Sequence, residues 1–253
     1  MVSVIIPCYN ARQYICEALA SAVAQEYVHE VILVDDCSTD DSVACVQAWL
    51  DVHAAQTADI SIRVLQNAEN SGVAVSRNRG VQEADGKYIA FLDADDRFAP
   101  GKLKKQVELL EQTGACLCNT ARVLMTPDGS LTQTIMHTPE KITLAELEKT
   151  NVINCSSVVA PREILLKYPM QHSEVHEDYL TWLQMLRAYP YAVGIDEPLL
   201  EYRLSAHGKS RNKLKSARMT YRTYRLAGYP VWKSCRMFLS YMINGLSLIH
   251  ISE

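Results

Sequence analysis

Short apolar runs alternate with amphipathic stretches along the first half of the chain. Four runs are rich in apolar residues and predict strands at 2–7, 30–36, 60–66 and 88–92. Four further stretches carry apolar residues at helical spacing, at 11–25, 40–54, 73–84 and 101–113. Strands that alternate with helices predict a mostly parallel sheet, and the unbroken apolar runs predict that helices bury both of its faces.

The pattern changes after residue 114. The segments ACLCNTARVL (115–124) and SLTQTIMH (130–137) predict antiparallel strands around a turn at 127–129. An amphipathic helix at about 176–188 and a strand at 198–204 follow. We therefore predict one α/β fold with a mostly parallel central sheet and an α+β C-terminal half.

Three of the predicted strands end in polar clusters, at 7–10, 35–36 and 93–96. Ligands of open α/β sheets bind beyond the carboxyl ends of the strands, so the three clusters should meet at one edge. An acidic or hydroxyl residue after a strand is also a common helix cap, as Asp40 or Ser38 would be for the second helix. The clusters therefore predict a binding site, although each one alone has this structural alternative.

The cluster at 93–96 contains three carboxylates, Asp93, Asp95 and Asp96. Like charges this close repel each other unless a cation or solvent compensates them. Mg²⁺ and Mn²⁺ prefer oxygen ligands and commonly join carboxylates to substrate phosphates. The sequence therefore favours a divalent cation that holds a diphosphate.

Two common nucleotide-binding motifs are absent. The first strand–helix turn, PCYNAR, lacks GxGxxG, and GxxxxGK[ST] does not occur, which argues against a dinucleotide-binding Rossmann enzyme and a P-loop NTPase. A nucleotide would instead use Tyr9 as a stacking surface, Asp36 as acceptor for a base N–H, and Arg77 as counter-charge for phosphate.

Four motifs, taken in order, resemble those of the family 2 inverting glycosyltransferases of GT-A fold. They are SVIIPCYN, VDDCSTDDS, NSGVAVSRNRG and GKYIAFLDADD, all within residues 2–96. The resemblance covers roughly 1–205. It implies a GT-A domain with a nucleotide-binding half (1–97) and an acceptor half (98–205).

The resemblance also implies roles for individual residues. Asp93 and Asp95 would be the DxD motif, with Asp95 binding Mn²⁺ or Mg²⁺ and Asp93 near the ribose or a metal-bound water. Asp178, in the triplet His176-Glu177-Asp178, would be the general base. The implied nucleotide-binding residues are Pro7, Tyr9, Asn10, Asp36, Arg77 and Asp93. Residues that would approach the donor or acceptor are Glu177, Ser156 and His207.

Two of these positions have structural alternatives. Asp178 lies in the first turn of a predicted helix, where an acid also interacts favourably with the helix dipole. His172 and His176 have the i,i+4 spacing of a zinc pair, but no third ligand has a recognisable spacing, which favours two loop histidines.

Charge is unevenly distributed along the chain. Residues 202–252 contain ten Lys and Arg and no Asp or Glu, whereas residues 1–201 contain 15 basic and 28 acidic residues. We expect 206–245 to form a basic, amphipathic helical arm that either covers the domain or lies on an anionic membrane surface. Nucleic-acid binding would follow from charge alone, but the motifs favour sugar transfer instead.

Several absences refine the expected function. The QxxRW motif of processive polysaccharide synthases is missing from 179–253, as are multiple membrane spans, which favours addition of a single sugar. The eight cysteines have irregular spacing and no CxxC pair, which favours reduced thiols. Because no charged n-region follows Met1, we expect a cytoplasmic protein without a signal peptide, peripheral on the cytoplasmic face of the inner membrane through the arm.

The last eight residues, LSLIHISE (246–253), resemble the translated end of a transposon-type sequencing adapter. We therefore expect the natural chain to continue beyond about Gly245.

The favoured function is a metal-dependent inverting glycosyltransferase of cell-surface polysaccharide biosynthesis. It would move one sugar from a nucleotide-diphosphate donor, UDP-linked by preference, to a glycan or lipid-linked acceptor. One alternative is a catalytically inactive sugar-nucleotide-binding or scaffold protein of the same fold. A nucleotidyltransferase is a second alternative, but it would usually have a glycine-rich, basic loop where this chain has PCYNAR.

Overall fold

A computed structural model describes residues 1–172, 174–204 and 213–249, with the backbone alone at 213–214 and 243–249. The strands are β1 Val2–Cys8, β2 Val28–Asp35, β3 Ser61–Gln66, β4 Tyr88–Phe91, β5 Arg97–Phe98, β6 Cys118–Met125, β7 Leu131–Met136, β8 Lys141–Ile142, β9 Val159–Pro161 and β10 Ala192–Arg203. The α-helices are α1 Ile15–Val23, α2 Ser42–Val52, α3 Val73–Glu83, α4 Lys102–Thr113, α5 Leu144–Leu147, α6 Arg162–Lys167, α7 Glu177–Ala188, α8 Lys213–Leu226 and α9 Val231–Ile249.

One sheet runs through the domain in the order β3-β2-β1-β4-β9-β6-β10-β5. The first four strands are mutually parallel, as the alternating pattern predicted. β9 then pairs antiparallel with both β4 and β6, while β6 and β10 are parallel to each other. β7 pairs antiparallel with β6, which confirms the predicted hairpin. The predicted α/β fold with an α+β second half is therefore confirmed.

Helices cover both faces of the sheet and enclose two cores. Every residue of β1 and β4 is buried, as the continuous apolar runs predicted. The prediction was wrong for β3, which is only partly buried because it is an edge strand. Cys116 and Cys118 lie in different cores, Cys116 with Trp182 and Cys118 with Leu103, so their spacing reflects strand alternation.

Helix α3 lies unusually close to β1. A Cβ atom at Gly80 would stand 2.4 Å from Cγ2 of Ile5, so only glycine allows this approach. The glycine ends the motif SRNRG, whose Arg77 belongs to the same helix. Close packing at Gly80 therefore fixes the height of Arg77 above the sheet.

The C-terminal helices pack on the domain. Tyr224 of α8 contacts Tyr179 of α7 with ring centroids 5.8 Å apart, and Tyr221 of α8 contacts Phe238 of α9 at 6.1 Å. In the part of the chain that the structure describes, every helix is too short or too polar to cross a membrane.

Candidate active site

A cavity of about 720 Å³ opens at the carboxyl edge of the sheet. Its walls come from the ends of β1 and β4 and from α3, α7 and α8. Eight of the residues to which the family resemblance gave a site role line it: Pro7, Tyr9, Asn10, Arg77, Asp93, Asp95, Glu177 and Asp178. Asp36 and Ser156 lie outside the lining, and His207 lies outside the described residues.

Asn10 joins the loops that follow β1 and β2. Its φ of 51° is in the left-handed region, which asparagine tolerates better than most residues. Its Oδ1 accepts hydrogen bonds from the backbone N–H groups of Thr39 at 2.8 Å and Asp40 at 3.3 Å. These bonds fix the loop that presents Tyr9, which is 49% exposed at the rim of the cavity.

The predicted cap of α2 is displaced by one residue. The N-cap position is occupied by Asp41 and not by Asp40 or Ser38. Burial raises the pKa of the Asp40 carboxyl, but hydrogen bonds from the hydroxyl of Ser42 and from its backbone N–H at 3.0 Å lower it overall. Asp40 therefore has the structural role that the sequence left open.

Asp36 is buried and organises the loop that leads into α3. Its carboxylate accepts hydrogen bonds from the backbone N–H groups of Ser71 at 2.9 Å and Gly72 at 2.7 Å. The side chain of Asn67 donates a third at 2.7 Å. Because Asp36 does not line the cavity, what the structure shows for it is support of this loop.

The turn after β4 places its three carboxylates differently. Asp93 and Asp95 line the cavity, whereas Asp96 is buried and accepts a hydrogen bond from the backbone N–H of Arg203 at 3.0 Å. The backbone N–H of Asp93 donates to Oγ of Ser156 at 3.1 Å. Ser156 thus supports the acidic turn from beneath.

Burial and the negative charge of neighbouring carboxylates raise the pKa values of Asp95 and Asp96. The pKa of Asp95 rises to about 6, first because of burial and then because of the negative charge of Asp93. The pKa of Asp96 is raised well above its usual range for the same two reasons. One oxygen of Asp93 is held by Arg77, while the Asp95 carboxylate lines the cavity. Carboxylates destabilised in this way, next to space for a diphosphate, are a donor set that fits Mg²⁺ or Mn²⁺.

Arg77 connects the two acidic sides of the cavity. Its guanidinium contacts Oδ1 of Asp93 at 2.6 Å and Oε1 of Glu177 at 3.3 Å. The side chain is buried, which opposes its charge, but the surrounding acids raise its pKa well above the usual value. Arg77 is therefore a permanent cation between the acidic turn and the start of α7.

Asp178 faces the cavity from the first turn of α7. Burial and then the neighbouring charge of Glu177 raise the pKa of its carboxyl, while Arg77 opposes this shift. A carboxylate with a raised pKa accepts a proton more readily near neutral pH. Position and basicity therefore both suit a general base, although Asp178 also occupies a favourable position for the dipole of α7.

The histidine pair is not a zinc site in the described residues. Nε2 of His176 lies 3.3 Å from the backbone oxygen of Ser216, while Nδ1 of His172 lies 3.3 Å from Oε1 of Glu174. Among the described side chains, the group with closely spaced metal-ligand atoms is His29, Glu30 and Asp85, on a different edge of the sheet. Glu30 there already binds Arg63 at 2.6 Å.

Sequence reasoning missed Arg203, which braces the acidic turn. Its Nε donates to the backbone oxygen of Asp95 at 2.7 Å, its NH2 contacts Glu17 at 2.7 Å, and its NH1 donates to the Pro127 oxygen at 3.0 Å. A basic residue near the end of the strand predicted at 198–204 was the available signal. Met219 of α8, which also lines the cavity, gave no sequence signal.

Comparison with protein families and sequences gives consistent matches. The model of the family described as glycosyl transferase family 2 matches residues 3–167. The glycosyltransferase TuaG of Bacillus subtilis, named for teichuronic acid biosynthesis, is 38% identical over 226 residues, covering 89% of this chain and 87% of that protein. The Escherichia coli UDP-Glc:alpha-D-GlcNAc-diphosphoundecaprenol beta-1,3-glucosyltransferase WfgD is 30% identical over 219 residues, covering 85% and 81%.

Solved structures share the fold. Staphylococcus aureus TarS 1–349 in complex with UDP-GlcNAc superposes with a TM-score of 0.73 at 19% identity, covering 95% of this chain and 71% of that one. The Pyrobaculum calidifontis mannosyltransferase PcManGT, in complex with GDP-Man and Mn²⁺, has a TM-score of 0.70 at 19% identity, covering 94% and 68%.

Proposed function

This chain belongs to glycosyl transferase family 2, and from that premise we propose that it transfers one sugar, with inversion, from a UDP-sugar to a lipid-linked acceptor. The observation that carries the proposal is the cavity in which Asp93 and Asp95 share a space with Asp178. The names of the relatives support a role in cell-surface polysaccharide biosynthesis, and that of WfgD supports the UDP donor and the polyprenyl-diphosphate acceptor.

We assign the donor side of the cavity to the ends of β1 and β4. Tyr9 offers its exposed ring to the base, beside Pro7 and Asn10. Asp36 supports this side of the cavity through the loop before α3, which its carboxylate holds in place. Arg77 fixes Asp93 in place and adds positive charge near the diphosphate.

Asp95, with Asp93, would hold a divalent cation. When bound, Mn²⁺ or Mg²⁺ would stabilise the negative charge that develops on the leaving nucleoside diphosphate. Arg203 keeps the Asp95 backbone in position from below.

Asp178 takes the proton of the acceptor hydroxyl. The hydroxyl oxygen forms a bond to the anomeric carbon as the bond from that carbon to the diphosphate oxygen breaks. Both changes occur in one displacement, which inverts the anomeric centre. Glu177, held by Arg77, keeps the first turn of α7 oriented towards the donor.

Nucleotide-dependent thermal stability tests the donor site. UDP, GDP and TDP are compared with and without Mn²⁺ on the wild type and on Asp95→Ala. A ligand present at about 100 times its dissociation constant should stabilise the native state by about 2.7 kcal/mol. We expect a UDP shift that requires Mn²⁺ and is lost in Asp95→Ala. A thermal shift with GDP or TDP in place of UDP would change the assigned donor nucleotide. If the protein is folded and no nucleotide shifts its stability, the donor site is refuted.

The base is tested separately with Asp178→Asn. We expect this variant to keep the UDP shift and to lose transfer by about 100-fold or more, the usual contribution of a general base. Transfer at the wild-type rate would refute the assignment. Loss of both the transfer activity and the UDP-induced shift would indicate a structural role for Asp178.

A further inference from the structure

The outer faces of α8 and α9 differ in character. Helix α8 exposes Arg218, Arg222 and Arg225, which recur every three or four residues and therefore form one stripe along the helix. Helix α9 exposes Trp232 and Leu239, which are 67% and 62% exposed. A basic stripe thus accompanies a strip of large apolar side chains.

The two helices present these features on one surface. Both turn their inner faces to the domain: the Tyr224 hydroxyl of α8 lies 3.3 Å from that of Tyr179, and Lys233 of α9 pairs with Glu148 at 2.8 Å. Tyr221 of α8 also packs on Phe238 of α9 with ring centroids 6.1 Å apart, so the two helices lie side by side and their exposed faces adjoin.

Charge decides which occupant this surface fits. The segment 202–252 contains no acidic residue. Outside this segment, Glu174 lies near enough for the charge of Arg222 to contribute to lowering its pKa. Helices with arginine beside exposed tryptophan and leucine lie in the interface of anionic bilayers, where each basic residue adds about 1 kcal/mol of attraction. We propose that the outer surface of α8 and α9, defined by Arg218, Arg222, Trp232 and Leu239, docks the enzyme on an anionic lipid bilayer.

This docking surface is connected to the active site. Met219 lines the cavity from the inner face of α8, and the backbone N–H of His176 donates to Oγ1 of Thr223 at 3.3 Å. The helix that meets the membrane is therefore the helix that supports the start of α7. Its use in presenting a lipid-linked acceptor to Asp178 rests on the proposed function, whereas the docking itself does not.

Vesicle flotation tests the docking. The full chain is mixed with vesicles of phosphatidylcholine alone or with 30 mol% phosphatidylglycerol (a composition of roughly that order suffices to give a negative surface potential). We expect binding to the anionic vesicles, weakened by salt. Arg218→Gln/Arg222→Gln should weaken partitioning roughly thirty-fold, and Trp232→Ser/Leu239→Ser at least about ten-fold. Lys104→Gln/Lys105→Gln removes the same charge from two partly exposed, ion-paired side chains of α4 and should change partitioning less than about two-fold.

The same preparations separate this inference from the proposed function. UDP and Mn²⁺ shifts on each variant report the fold and the donor site independently of lipid. The docking alone would be overturned if Arg218→Gln/Arg222→Gln bound anionic vesicles as strongly as the wild type. It would also be overturned if a wild type that retains its UDP shift did not bind them. Equal binding to neutral vesicles would also overturn it. Dimerisation that the Trp232→Ser/Leu239→Ser variant abolishes, without vesicle binding, would assign the surface to a second copy.

Discussion

In the absence of metal, Asp95 should destabilise the fold at neutral pH, so that Asp95→Asn makes the protein more stable. Burial and the charge of Asp93 raise the pKa of Asp95 from 3.8 to about 6. A rise of about two pKa units corresponds to about 3 kcal/mol. Because the folded-state pKa is the higher one, the folded state favours the protonated carboxyl. The stability that goes with protonation is fully present below about pH 4 and is lost as the pH rises through about 6.

Urea unfolding in EDTA at pH 4.5 and at pH 7.5 measures this effect. We expect Asp95→Asn to be more stable than the wild type by about 2–3 kcal/mol at pH 7.5 and by only about 1 kcal/mol at pH 4.5. The exposed carboxylate Asp59 provides the control, since Asp59→Asn removes the same charge outside the site.

Addition of Mn²⁺ and UDP should reverse the order of stability. The wild type then gains the free energy of ligand binding, whereas Asp95→Asn lacks a ligand to the metal. A variant that is less stable than the wild type in EDTA at pH 7.5 would refute the electrostatic reasoning. A variant that gains as much as the wild type from Mn²⁺ and UDP would refute the metal assignment.

Three further variants test the packing around the site. Arg77→Met should cost about 3–5 kcal/mol in urea unfolding because it removes the buried cation that Asp93 and Glu177 share. Adding Glu177→Gln should recover part of this, so strict additivity would contradict the bridge. Burial lowers the pKa of Lys102 from 10.5 to about 7, so its stability contribution is present above about pH 10.5 and lost as the pH falls to 7. Lys102→Met should therefore gain about 2–4 kcal/mol at pH 7, and a gain that does not shrink towards pH 10 would contradict this cause. Cys37 has a φ of 63°, so Cys37→Gly should raise the free energy of unfolding by about 0.5–1 kcal/mol, and a loss would show that the thiol has a packing role.

The sequence predicts best where a local pattern and its tertiary setting agree. β1 and β4 are continuous apolar runs because they are buried on both faces, and the carboxylates after β4 lie where parallel strands place them. β9 was missed because three residues ending in Pro161 carry too little periodicity. Helix α1 begins at Ile15 and not at 11, because the backbone N–H of Ala11 donates to Oγ of Ser42 at 2.8 Å and holds the preceding residues in a turn.

Side-chain roles that depend on distant partners were harder to predict. Contact of Asp36 with the nucleotide base stays a prediction, and the sequence does not reveal that the Asp36 carboxylate accepts hydrogen bonds from three donors in the loop before α3. Arg203 braces the acidic turn through contacts with residues more than 70 positions away. Such partners become visible only when the sheet order is known.

The cavity is built from residues that are far apart in the order of synthesis. Pro7 of β1 forms one wall and Met219 of α8 another. During translation the strands of the nucleotide-binding half leave the ribosome first. The wall that Met219 forms is completed only after residue 219 has emerged. A nascent chain can therefore bury most of its sheet before it has a closed site, so activity should appear late in synthesis and all at once.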